Sequence, residues 1–230
     1  MKFVVALVAL VATAVSGMEE VSSSDVNSTN VTPFHVEGKC ILGEQRGCSS
    51  DVALGLTKQI LKKMVAMGHE FSTLDSQWIK CSSPCVNQLQ TEAAKHLKNA
   101  AKDKGDYITL QSAVRSSAQQ YLMWLWHDLG MCGIGLAAKP GTSNHEGGMA
   151  VDTGYYDYWM SALTSHGFQH NYPSNDPVHF DYSNAVDLAR ENLKAFQKLH
   201  NANTNNKIDA DGLWGSDTQN ALYHAPCNGW

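Results

Sequence analysis

Ser143-Asn144-His145-Glu146-Gly147-Gly148-Met149-Ala150-Val151-Asp152, echoed downstream by Asp176-Pro177-Val178-His179, is the stretch on which the reading of this chain turns. The two pieces carry two imidazoles and several carboxylates on short, turn-bounded segments. Gly147 and Gly148 let the backbone turn sharply after His145. Met149 to Thr153 then reads as a short strand, with Ala150 and Asp152 on one face and Met149 and Val151 towards the core. Val178 to Tyr182 alternates in the same way. Val178, Phe180 and Tyr182 form its apolar face, and His179 and Asp181 lie on the other. Two neighbouring strands of this kind present His145, Asp152 and His179 to a single point.

Three N and O donors with a fourth position left for water are the pattern of a catalytic zinc site, whereas structural zinc is more often closed by four ligands, frequently cysteines. Asp176 stands three residues before His179, near enough to act on water at such a metal without being a ligand. A lone His-Asp pair in a turn is ordinarily a hydrogen-bonded surface pair. The second histidine, arriving with its own acid, tips the balance towards metal.

Working outward, the chain has 230 residues, 43% of them hydrophobic, enough for one substantial core and a small second module. A formal charge of -5 without a Lys/Arg cluster argues against a nucleic-acid partner. Residues 1–17, a Met-Lys start followed by an apolar run, read as a signal peptide. Residues 18–38, rich in Ser, Thr and Asn, read as a disordered leader with sequons at Asn27 and Asn30. No later stretch is long and apolar enough to span a bilayer, so no membrane contact is expected once the signal is removed. Cys40, Cys48, Cys81, Cys85, Cys132 and Cys227 make an even count behind that signal. This implies disulfides, with fifteen connectivities open. Cys81 and Cys85 lack a second close Cys/His pair to complete a metal site.

Helical signals follow. Ser49 or Ser50 caps a helix that runs to Met67 and stops at Gly68, with Leu56, Ile60, Met64 and Met67 on one face. Ser83-Pro84 opens a second, bearing Val86, Leu89, Ala93, Leu97 and Ala100 and closed by Gly105. Residues 107–110 read as a strand, 117–129 as a third helix, 155–165 as a fourth and 168–172 as another strand. Trp124 and Trp126, at helical spacing, read as core. His69, His96 and His127 read as surface or satisfied helix residues, and His166 and His170 as packing or surface residues.

The first motif, Ser143-x-His145-x-x-Gly148-x-Ala150-x-Asp152, resembles in every fixed position the signature of the zinc D-alanyl-D-alanine carboxypeptidases and related peptidoglycan peptidases, the VanY-like group. Asp176-x-x-His179 resembles their acid-x-x-His motif, departing from the commoner Glu-x-Trp-His in its acid and third residue. Ser112-Ala113-Val114-Arg115-Ser116 with Gln120 is similar to the family's S-G-Y-R-S-x-x-x-Q. The resemblance runs from roughly Phe71 to Tyr182. It implies one zinc ion held by His145, Asp152 and His179, with Asp176 as general acid/base. Arg115 is implied to bind the substrate carboxylate or stabilise the intermediate. Gln120 and Ser143 join it as substrate-binding residues.

The tail, from 184, resembles a short helical peptidoglycan-binding module. Its signs are the stripe Val186, Ala189, Leu193 and Phe196, the turn Asp211-Gly212-Leu213-Trp214-Gly215, and Ser216-x-x-Gln219 as a capping box. Asp209 and Asp211 lack the alternation of a calcium loop. With about one repeat unit, the module can pack on the catalytic domain and bind nothing itself.

The expectation is therefore an α+β protein, with a small antiparallel sheet carrying the zinc site and helices around it. A catalytic domain at 39–183 is followed by a helical module at 184–230. The protein is expected to be secreted and monomeric. Its partners are expected to be bacterial peptidoglycan or its stem peptides, cut first at the terminal D-Ala-D-Ala bond. Cleavage at L-alanyl-D-glutamate or another cell-wall bond, a non-catalytic cell-wall-binding role, and a secreted interaction domain with structural zinc are the alternatives.

Overall fold

The computed structural model describes residues 40–230; the stretches expected to be a signal peptide and a leader, and both sequons, lie outside them. The chain enters through two 3-10 turns, Leu42–Glu44 and Ser50–Ala53, into α1 (Leu54–Ala66). Ser49 accepts a hydrogen bond from the Asp51 N–H at the start of this passage, and Gly68 follows the helix with φ 95°. The short strands β1 (Phe71–Thr73), β2 (Ile79–Cys81) and β3 (Gln88–Gln90) come next, then α2 (Thr91–Lys104) and β4 (Ile108–Leu110). The helix expected at Ser83 thus begins at Thr91. Cys81 and Cys85 close a disulfide loop with residues 83–85 in a turn, Val86 bridges Val114, and β3 pairs antiparallel with β1, so the stretch from Val86 to Gln90 is committed to extended pairing.

α3 (Ser117–Asp128) begins with a capping box in which Ser116 and Gln119 exchange side-chain-to-backbone bonds. β5 (Ala150–Asp152), α4 (Tyr156–Ser165), β6 (Phe168–Gln169) and β7 (His179–Tyr182) complete the middle of the chain. The expected strand at 168–172 is only two residues long. α5 (Ala189–Asn203) and α6 (Ser216–Tyr223) end it. Gly215 takes the N-cap of α6 and no side chain caps it, so Ser216 is the first helical residue and the expected capping box does not form.

β5, β7 and β6 form one antiparallel sheet in that order, with Ala150 opposite Asp181 and Asp152 opposite His179. The chain beyond β4 joins its edge: Ser112 bridges Asp152, and the Asp152 N–H donates to Ser112 O at 2.9 Å. Two hydrophobic clusters flank this arrangement. One gathers Leu97, Val151, Trp159, Leu163, Phe168 and Phe180 between the sheet, α2 and α4. The other joins Leu56, Ile60, Tyr121, Trp126, Phe196 and Leu222 from α1, α3, α5 and α6. Trp126 is buried in it, and Trp124 packs against it beside Trp214. Burial of side chains of this size contributes about 1.5–3 kcal/mol each.

Three disulfides, Cys40–Cys227, Cys48–Cys132 and Cys81–Cys85, use all six cysteines. Such bridges persist in oxidising, extracytoplasmic compartments. Among the described residues no helix is long and apolar enough to cross a membrane.

Candidate metal centre and substrate cleft

The register of β5 against β7 brings Asp152 beside His179. His145 arrives from the turn before β5, which is tied to the chain ahead of α3 by the Arg115 N–H donating to His145 O at 3.0 Å. Three donor atoms then converge. His145 Nε2, His179 Nδ1 and Asp152 Oδ1 stand 3.2 Å from one another along every edge. Both imidazoles are buried and the carboxylate is half-buried.

The far side of each ring decides what these nitrogens carry. His145 Nδ1 lies 2.8 Å from Ala113 O, an acceptor only, so Nδ1 holds the hydrogen and Nε2 offers a lone pair. His179 Nε2 lies 2.8 Å from Asp181 Oδ1, which leaves Nδ1 facing inward. Asp181 is itself held by Asn144 Nδ2 at 2.9 Å and Asn171 Nδ2 at 3.3 Å. Three electron-rich atoms pointed at one another repel unless a cation or a proton sits among them. Tetrahedral zinc, with bonds of about 2.0–2.1 Å, sets its ligands about 3.3 Å apart, so the triangle fits that ion. Where a proton takes the role, His179 carries it. Burial pushes its imidazole down, but Asp152 and Asp181 together lift it to about 9. Asp152, despite burial, is held well below the usual carboxylate range by His145, His179 and Arg115.

The centre opens into a cleft of about 500 Å³ lined by Arg115, Gln120, Ser143, Asp176 and the three converging side chains, with Met123, Leu136 and Tyr172 on its walls. Arg115 is half-buried. Its Nη1 donates to Gln120 Oε1 at 2.8 Å, its Nη2 to Ser112 Oγ at 3.1 Å, and Nη2 lies 3.8 Å from Asp152 Oδ2. Burial lowers its pKa, and Asp152, Glu146 and Asp176 raise it in return. Gln120 is buried, with its amide nitrogen donating to Ala138 O at 2.8 Å. Asp176 is half-buried on the turn between β6 and β7. Burial and then the Asp152 charge raise its pKa, while His179, His145 and Arg115 hold it back. Ser143 lies in the wall, its N–H donating to Glu146 Oε2 at 3.2 Å.

Every residue proposed from the sequence for the site therefore lines one cleft. Sequence reasoning missed Asp181, although the alternation of β7 already put it on the same face as His179. It also missed Glu146, fully buried and pushed by that burial to about 8 against the N–H groups of Gly141, Ser143 and Thr142. The backbone partner of His145, Ala113 O, leaves no signal in residue types.

A His-Asp-His centre in a cleft that also carries a free carboxylate and a guanidinium defines a zinc-type peptidase. More particularly, residues 84–185 match the model of the VanY family, D-alanyl-D-alanine carboxypeptidase, and this part of the chain is a domain of that family. The matched span holds Arg115, Gln120, Ser143, His145, Asp152, Asp176 and His179. The family is zinc-dependent, and its activity implies peptidoglycan peptides as substrates. No curated protein matches the chain.

Proposed function

We propose that this chain is a secreted, monomeric zinc carboxypeptidase that releases the terminal D-alanine of peptidoglycan stem peptides. In this reading His145, Asp152 and His179 hold one zinc ion, Asp176 is the general base and acid, and Arg115 anchors the substrate. The observation that carries it is the 3.2 Å triangle of lone pairs with Asp176 and Arg115 on the same cleft.

When bound, zinc supplies Lewis acidity towards water and a carbonyl oxygen. The chain's own groups do the rest. Asp176 makes no side-chain hydrogen bond to the described residues, so its carboxylate is free to take a proton from water and return it to the departing amine. Its raised pKa makes it a stronger base than an exposed aspartate. Arg115, backed by Gln120 and Ser112, presents a guanidinium of fixed orientation to a terminal carboxylate or a developing oxyanion. Gln120 thus serves the substrate through Arg115, and Ser143 offers a hydroxyl from the cleft wall. Met123, Leu136 and Tyr172 give the cleft apolar wall against which the peptide beside the reacting bond can lie.

Residues 184–230 fit a small peptidoglycan-binding-like module docked on the peptidase, with α5 packed against α1 in the shared core.

The test is digestion of a synthetic stem pentapeptide by the zinc-loaded protein, with mass spectrometry of the products and a chelated control. Loss of one alanine, abolished by chelation, is expected. A cut at an internal bond would assign the centre to endopeptidase chemistry. No cleavage with zinc bound, together with retention on intact peptidoglycan, would make the chain a binding protein.

A further inference from the structure

The turn carrying Asp176 runs from 170 to 178 between β6 and β7, and residues 171–175 are exposed. Its internal bonds are few. The N–H groups of Asn175 and Asp176 both donate to Tyr172 O, at 3.1 and 2.8 Å, and the His179 N–H donates to Asp176 O at 3.2 Å. Asn171 Nδ2 donating to Asp181 Oδ2 at 3.3 Å and the Thr153 N–H donating to Val178 O at 3.0 Å tie down the turn's two ends. The Asp176 side chain itself makes no hydrogen bond to the described residues, so the path of the backbone around it sets where its carboxylate stands. Pro177, the next residue, has no N–H to donate. Its carbonyl accepts from His170 Nε2 at 2.8 Å. A carbonyl cannot donate, so His170 carries its hydrogen on Nε2.

His170 is itself fixed. Its ring stacks on Phe180, centroids 4.7 Å apart and 20° between planes, and on Tyr156 at 6.1 Å and 21°. Phe180 is a fully buried residue of β7, between His179 and Asp181. An exposed loop is thereby clamped, one peptide beyond its functional carboxylate, to an aromatic stack rooted in α4 and β7.

We propose that His170 is a positioning residue for Asp176: through Pro177 O it sets the placement of that carboxylate over the metal centre. This rests on Asp176 being the proton-transfer group. His170 touches neither the metal ligands' donor atoms nor the cleft, and it acts through the turn alone. Misplacing a reacting group by about an ångström can cost up to roughly a hundredfold in rate.

The experiment compares His170→Phe, which keeps a stacking ring and removes the donor, with His170→Gln, which returns an N–H. D-Alanine release from a stem pentapeptide is followed at saturating zinc, with zinc content and melting temperature measured alongside. His170→Phe is expected to lower kcat by about tenfold or more with KM and zinc content unchanged. His170→Gln is expected to recover most of that loss. In an Asp176→Asn background, His170→Phe is expected to add nothing. If His170→Phe folds poorly, His170→Leu removes the donor in its place and carries the same expectation.

Wild-type kcat in the donor-less variant, while Asp176→Asn is impaired, would overturn this inference and leave the role of Asp176 intact. A lowered zinc content in His170→Phe, with wild-type kcat once zinc is saturating, would also overturn it, because the tether would then serve His179. Full activity in Asp176→Asn would overturn both.

Discussion

His179 sits with one ring nitrogen 3.2 Å from Asp152 Oδ1 and the other 2.8 Å from Asp181 Oδ1, and the two carboxylates lift its pKa to about 9. A metal binds only the neutral imidazole. Near neutral pH the metal-free protein therefore carries a proton on His179 that the ion must displace. Affinity should fall about tenfold for each pH unit below 9 and level off above it. Competition with a chelator across pH, or proton release in a weakly buffered titration, measures this slope. Asp181→Asn removes one of the charges raising His179, so the plateau should begin at lower pH. Affinity at the plateau should drop roughly 10- to 100-fold, the usual effect of losing a carboxylate behind a ligand. Asp176→Asn should behave oppositely: zinc content unchanged, kcat lower by about 10²–10⁴. Full rate with zinc retained would end its role as proton carrier. At this scale the convergence of His145, Asp152 and His179 was legible, because a turn followed by two alternating strands brings the three side chains to one point. Ala113 O and the Pro177 tether were not, since a carbonyl has the same signature at every residue.

Among the elements, the turn before β5 is constrained at one glycine. Gly148 has φ 66°, and a Cβ there would lie 2.6 Å from Cε1 of Phe71 on β1. The Gly148 N–H donates to His145 O at 2.9 Å, and its carbonyl accepts from the Gln90 N–H at 2.9 Å, so the same residue ties both the histidine and the strand β3. Gly148→Ala should combine left-handed strain with a clash, costing about 1–3 kcal/mol. It should weaken zinc binding more than an equally destabilising change far from the turn. Thermal melts paired with metal titration separate the two effects. The glycine was legible as a turn residue, whereas the aromatic ring against it belongs to a strand 77 positions earlier and was not. The start of α2 was misread for a related reason. Ser83-Pro84 is a good local helix opening, but pairing of β3 with β1 and the Cys81–Cys85 loop overrode it.

For the molecule as a whole, the question is whether 40–183 can keep the site without the segment that follows. Asn192 on α5 is fully buried and reaches three backbone groups of the site's frame. Its Oδ1 accepts from the Ser117 N–H at 2.8 Å, and its Nδ2 donates to Glu146 O at 2.9 Å and Arg115 O at 3.2 Å. Leu188, Leu193 and Phe196 fill the cluster that also buries α1 and α3, and Cys227 is bonded to Cys40. A bridge across 187 residues constrains the unfolded chain by about 5 kcal/mol on the loop-entropy model. Ending the chain after residue 183 would strip all three supports at once, which is more than a domain of marginal stability tolerates. We therefore expect the truncated protein to lack a cooperative melt and to bind no zinc. Asn192→Ala, leaving the three groups unpaired, should destabilise by about 3 kcal/mol. A folded, zinc-binding 40–183 fragment would show instead that the peptidase frame is self-sufficient and that Asn192 is an accessory tie. The sequence pointed to a separable module because its stripe and turns are complete in themselves. A lone buried asparagine joining it to Arg115 and Glu146 carries no such pattern.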